Sequence, residues 1–166
     1  MKKSIIAVSV AALVLCCAAA GYFWYVNRDK RMVVELIGNV AALAEKESSK
    51  LPHAGVLKFS KVDDLFAQKI ELKCVDPSIS SSMSRDDLKA LVSLMIKRID
   101  HMKVNTANIV VDIAGDNATF SFDAEFSGVI SGKKEEFANV YQISGTAVKS
   151  DGKWLISSLI AEQIIQ

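Results

Sequence analysis

The hydrophobic positions of this chain run first without a break, then at helical spacing, and finally in alternation. No charged residue occurs from residue 4 to residue 26. Over residues 32–47, Val33, Leu36, Ile37, Val40, Leu43 and Ala44 recur at three- and four-residue steps, with Glu35, Asn39 and Glu45 off that stripe. This spacing predicts an amphipathic helix. Ser48-Ser49-Lys50-Leu51-Pro52 ends it, because proline drives its predecessor out of the helical region. Ser60 and Asp63 suggest the start of a short helix over residues 62–68, followed by a strand over 70–75.

Residues 76–83 read as a serine-rich loop. Ser84 then looks like a helix N-cap, with Asp86 and Asp87 favoured at the positive helix end. Leu88, Leu91, Val92, Met95, Ile99 and Met102 give the following helix one apolar face. From Asn105 onward the period becomes two. A strand over 109–113 leads to a Gly115-Asp116-Asn117 turn. Phe120, Phe122, Ala124 and Phe126 then share one face, with Thr119, Ser121, Asp123, Glu125 and Ser127 on the other. Ser131-Gly132-Lys133-Lys134 turns the chain into a strand over 137–148, which Gly145 is expected to bend or bulge. Asp151-Gly152 makes a hairpin before a last strand over 154–165. Helices first and a four-strand antiparallel meander last predict an α+β domain with helices on one sheet face.

The hydrophobic fraction of 51% is inflated by the leader; without residues 1–26 it falls to about 46%, an ordinary globular value. Setting aside Lys2 and Lys3 turns 20 basic against 19 acidic residues into 18 against 19. A near-neutral domain argues against nucleic acid as a partner. The chain thus divides into a leader, 1–27, and one domain, 28–166. As a helix, residues 4–26 would span about 34 Å, enough for a hydrocarbon core of about 30 Å. Phe23, Trp24 and Tyr25 suit the headgroup level at its far end. The expectation is a single-pass transmembrane anchor with the domain on the extracytoplasmic side. A cleaved signal ending at Ala18-Ala19-Ala20 would instead give a secreted or periplasmic domain. Lipid attachment at Cys16 or Cys17 is the third alternative. Cys74 alone belongs to the domain, so no disulfide forms within it, and the role of a small buried hydrophobe fits it better than that of a reactive thiol.

Candidate chemistry is sparse. His53 lies in an expected loop, and His101 is expected at a helix C-terminus, where a cation is favoured. Asp123 and Glu125 share a sheet face, but with Thr119, Ser121 and Ser127 it reads as solvated; Asp112 reads as an exposed strand position. Two distant histidines and one domain cysteine give no zinc spacing. No glycine-rich phosphate loop or nucleophile elbow occurs, and Lys133-Lys134-Glu135-Glu136 is a solvated turn. Neither a metal nor a cofactor is implied. Phe122, Phe126 and Tyr141 are the candidates for lining an apolar cavity, with Phe120 in the same aromatic stripe.

The order of elements, the helix opening Ser84-Arg85-Asp86-Asp87-Leu88, Gly115-Asp116-Asn117-Ala118 and the closing hairpin Val148-Lys-Ser-Asp-Gly-Lys-Trp-Leu-Ile156 resemble the nuclear transport factor 2-like superfamily, and the hairpin in particular its SnoaL-like members. The resemblance covers residues 30–166. It implies a cystatin-like, cone-shaped domain of about three helices on a curved, mostly antiparallel sheet around an apolar cavity. Such folds host isomerases, dehydratases, association domains and components of envelope secretion machinery, so fold does not choose function. The expected role is a membrane-anchored, non-enzymatic domain that binds a protein partner or a small apolar ligand. The alternatives are a lyase or isomerase using a cavity carboxylate and a structural subunit of a cell-envelope assembly. Carboxylates on the outer sheet face predict a monomer or weak homodimer.

Overall fold

The alternation that begins after residue 105 becomes part of a six-stranded sheet that carries most of the domain. The computed structural model describes residues 24, 26–46, 54–75, 78–132 and 135–164. The expected membrane anchor at 4–26 lies almost wholly outside the described residues, as does His53. Among the described residues, no helix is long and apolar enough to cross a membrane.

The described elements are helix α1 (26–44), α2 (Ala54–Leu65), β1 (Phe66–Cys74), β2 (Ile79–Ser84), α3 (Arg85–Arg98), β3 (Ile99–Ala114), β4 (Asn117–Ile130), β5 (Glu135–Ser150) and β6 (Lys153–Gln163). The strands lie in the order β2-β1-β6-β5-β4-β3. Each neighbouring pair is antiparallel except β1 and β6, which run parallel. The result is an α+β, cystatin-like fold on a curved mixed sheet.

Several boundaries differ from those the residue pattern suggests. The first helix is already formed at residue 26, so it includes the charged run after the leader. The second helix lies at Ala54–Leu65 rather than 62–68, and β1 starts at Phe66, whose buried ring pairs with Ile156 beyond an irregularity in the strand. The serine-rich loop is in fact β2, which pairs with β1 from Lys69↔Ser84 to Cys74↔Ile79. As an edge strand it needs backbone partners on one side only, and serine provides no hydrophobic signal there. The expected helix through Met102 ends at Arg98, and Ile99 is extended. Ile99 and Met102 continue the helical spacing of Leu91, Val92 and Met95, but their pairing with Ile130 and Gly128 of β4 prevails.

The N-terminus of α3 forms as its sequence suggests. The Ser84 hydroxyl accepts the Asp87 amide, and the Asp87 carboxylate accepts the Ser84 amide at 3.0 Å, a reciprocal cap for two otherwise orphaned donors. The hairpin turn likewise forms, with Asp151 and Gly152 both at positive φ.

The core lies between α1 and the inner sheet face. Val33, Leu36, Ile37 and Leu43 of α1 join Phe120, Ala147, Trp154 and Ile156 in one buried cluster. Burying a side chain such as Ile37 contributes about 1.5–3 kcal/mol. Gly145 makes room for that packing: a Cβ there would sit 2.3 Å from the Ser158 carbonyl oxygen and 2.7 Å from the Phe120 ring. The expected irregularity falls next to it, where the β5–β6 register shifts between Thr146 and Ala147.

Candidate binding cavity

Small residues along the last turns of α1 leave space beneath them. Ala41 and Ala44, with Ile37 and Val40, face Phe122, Ala124 and Phe126 of β4 across a cavity of about 110 Å³. Val104, Ile143, Ile156 and Leu159 complete its walls. The physical cause is a helix that presents methyl groups to a strand whose own middle residue, Ala124, is equally short. Every residue lining this cavity is apolar.

A second cavity, of about 130 Å³, continues past Ala44 and Phe126, which line both. Its other walls are Leu43, Lys46, Val92, Met95, Ile99 and Met102. The chain leaving α1 is fastened here, because Lys46 and Met102 exchange backbone hydrogen bonds of 2.8 and 2.9 Å. The Lys46 ammonium donates to the Ile99 carbonyl, which places its charge beside the cavity wall.

At the opposite end of α1 lies Asp29, 1% exposed. Lys149 Nζ donates to both carboxylate oxygens at 2.9 Å, and Trp154 Nε1 donates to Oδ1 at 3.4 Å. Lys149 and Trp154 are cross-strand partners in the β5–β6 hairpin, and the ammonium also lies 5.6 Å from the Trp154 ring centroid. Asp29 lines neither apolar cavity. A carboxylate held by an ammonium and an indole N–H is occupied as an acceptor, which suits a structural tie better than a general base.

Of the residues the sequence proposes for a cavity, Phe122 and Phe126 line it. Tyr141 is not among the lining residues; its ring stands edge-on to Phe126 at 5.8 Å. Phe120 is buried in the core and stacks with Phe122 at 6.1 Å. Asp123 accepts a 2.6 Å bond from Asn108, a residue at φ 53° in the β3 irregularity opposite it. Glu125 is exposed and accepts from Asn105 at 3.3 Å, and Asp112 is exposed. These carboxylates do not converge on the cavity. His101 stands in β3 opposite Val129 rather than at a helix end, because α3 has already stopped at Arg98. Cys74 is half-buried in β1 opposite Ile79 and Ala161. Among the described residues, no group of side chains could hold a metal ion.

The pattern of the sequence did not single out Asp29. It sits in Asn27-Arg28-Asp29-Lys30-Arg31, which reads as the charged flank of the leader. One signal was available: Asp29 lies four residues before Val33, so it extends the buried stripe of α1 backward by one turn.

No protein-family model matches this chain, and no curated protein matches it. Solved structures do. A protein from Kribbella flavida is 18% identical, with a TM-score of 0.69 over 84% of this chain and 93% of its own. A hexachlorocyclohexane dehydrochlorinase from Novosphingobium barchaimii is 11% identical, with a TM-score of 0.63 over 83% and 88%. A nuclear transport factor 2-like protein with a cystatin-like fold from Novosphingobium aromaticivorans is 16% identical, with a TM-score of 0.63 over 83% of each chain. At such identities the likeness is one of fold alone.

Proposed function

We propose that this chain is a membrane-tethered, non-enzymatic binding domain that holds a small apolar ligand between α1 and the sheet on the outer side of a membrane. The observation that carries this reading is the lining of the two adjoining cavities, which is apolar apart from Lys46. An apolar cavity of about 150 Å³ in a protein interior is large enough to take up benzene. Each cavity here is slightly smaller, and the pair together is larger. The tether rests on the uncharged run from residue 4 to residue 26, which leads directly into α1.

Methyl NMR of the full chain in lipid nanodiscs tests the binding. Added 1-octanol is expected to shift the methyls of Val40, Val104, Ile143 and Leu159 saturably, while those of Ile70 stay in place. Absence of saturable shifts at the cavity methyls would remove the reading. Carbonate extraction tests the tether: the chain is expected in the membrane pellet, and a soluble product beginning at Gly21 would contradict it.

A second reading, a lyase or isomerase, draws on the buried carboxylate Asp29 and on the fold shared with a dehydrochlorinase. It needs Asp29 to be released from Lys149 and brought into contact with a ligand. The present geometry ties it to the hairpin instead.

A further inference from the structure

The tie at Asp29 also decides which end of the domain lies nearest the leader. Lys149 and Trp154 hold the first turn of α1 beside the β5–β6 turn, where Asp151 and Gly152 stand at positive φ. The Lys149 amide donates to the Asp116 carbonyl at 2.8 Å, so the β3–β4 turn lies at the same end. The turn at Gly132 is a full strand away, roughly 40 Å along the 14 residues of β4. Resting on the tether of the proposed reading, we infer that the end bearing the β3–β4 and β5–β6 turns faces the bilayer and rests on anionic phospholipid headgroups through Arg28, Lys30 and Arg31.

The side chains at this end suit a lipid surface. Trp24 is 68% exposed and sits one turn before Arg28, whose guanidinium lies 5.8 Å from the indole centroid. An amphipathic ring beside a cation, at the end of an uncharged run, belongs at the headgroup level. Among the described residues, Arg28, Lys30 and Arg31 have no carboxylate within ion-pair distance, unlike Lys89, Lys149 and Lys153. Their charge is therefore available to an external anion. Asn27, Lys30 and Arg31 line one shallow hollow with Val34 and Glu35, which gathers an amide and two cations on one side of α1. Glu35 lies a full turn beyond Arg31, and Asp29 is bound to Lys149, which leaves Asp116 and Asp151 of the turns against three cations. Basic groups next to a membrane span are drawn to anionic headgroups. Docked in this way, the domain holds both cavities away from the bilayer. Ile37, the first residue of α1 to line one of them, lies about 12 Å beyond Asp29 along the helix axis.

Paramagnetic relaxation in nanodiscs tests this on the full chain. The probe is phosphatidylcholine carrying a nitroxide on its headgroup, read through the amides of isotope-labelled glycine. In discs of phosphatidylcholine and phosphatidylglycerol, the Gly115 and Gly152 amides are expected to lose most of their intensity while Gly132 keeps its own. In discs of phosphatidylcholine alone, or with Arg28→Gln, Lys30→Gln and Arg31→Gln combined, that loss should fall by about half. Broadening of Gly132 as strong as that of Gly152 would overturn the orientation, and so would unbroadened turns in a chain that stays with the disc. A loss at Gly115 and Gly152 unchanged by phosphatidylglycerol and by the triple variant would overturn the headgroup contact while the tether stands. A chain that elutes apart from the discs would overturn the tether and this inference with it.

Discussion

In its first turns α1 buries a carboxylate, Asp29, against Lys149 and Trp154, whereas in its last turns Ala41 and Ala44 leave space on the side of Phe126. Both ends pack on the same sheet. The first is tied by charge, and the second is apolar and left with space. Charged groups removed from water need good partners, and Asp29 has an ammonium on both oxygens and an indole N–H on one. Methyl groups need no partner, so a void among them costs dispersion contacts but leaves no polar atom unsatisfied. The polar end fixes the angle at which α1 enters the domain, and the apolar end remains open to a ligand.

The largest effect is expected from breaking the tied end. Asp29→Ala strands Lys149 without its carboxylate, and urea denaturation should show a loss of about 3 kcal/mol, the low end for broken buried pairs because Lys149 remains 14% exposed. A loss below the effect of an ordinary surface substitution would mean that the ion pair does not hold α1. Next comes the wall between the two ends. Gly145→Ala forces a Cβ against the Ser158 carbonyl and the Phe120 ring, so a loss of about 1–3 kcal/mol is expected in the same assay. Ser84→Ala, remote from both ends, should cost about 1 kcal/mol by removing the α3 cap without changing ligand binding. An altered ligand affinity in that variant would show that α3 and the cavity are coupled.

The smallest effect concerns pH. The Ser84 hydroxyl and amide hold the Asp87 carboxyl below its ordinary value of 3.8, and a hydrogen bond from Lys89 does the same for Asp63. A lowered folded-state pKa means that the stabilisation is fully present above the unfolded value and is lost as pH falls through the folded one. Both groups are solvent-facing, so the acid limb should be shallow and begin below about pH 3.8. Carbon-detected NMR titration should place the Asp87 midpoint below 3.8 and move it upward in Ser84→Ala. An unchanged midpoint would remove the hydroxyl as the principal cause.

What the sequence revealed was local. The alternation of Phe120, Phe122, Ala124 and Phe126, the Asp151-Gly152 turn and the Ser84 cap all formed where their residues indicated, because each depends on neighbours a few positions away. The parallel β1–β6 pairing was hidden, since it joins residues as distant as Phe66 and Ile156. Strand β2 was hidden by its serines, and the first half of β3 by apolar residues that continue a helical spacing. For the site, the aromatic walls Phe122 and Phe126 were legible, but the space between them was not. Alanine at 41, 44 and 124 reads equally well as filler in a helix or strand. Only the helix lying over the sheet turns three short side chains into a cavity. Lys46 was equally silent, because its position beside the Ile99 wall depends on the chain turning back onto β3.

Ala44 lines both cavities, so a larger side chain at that position would close them to an apolar ligand. Photolabelling with a diazirine-bearing octanol, performed side by side on the natural chain and on Ala44→Phe in nanodiscs, gives one comparison of peptides containing Met95 and Phe126. Saturable labelling of both peptides is expected in the natural chain, and its loss when the phenyl group occupies the space. Labelling that persists undiminished in Ala44→Phe would contradict that expectation and place apolar binding elsewhere on the molecule.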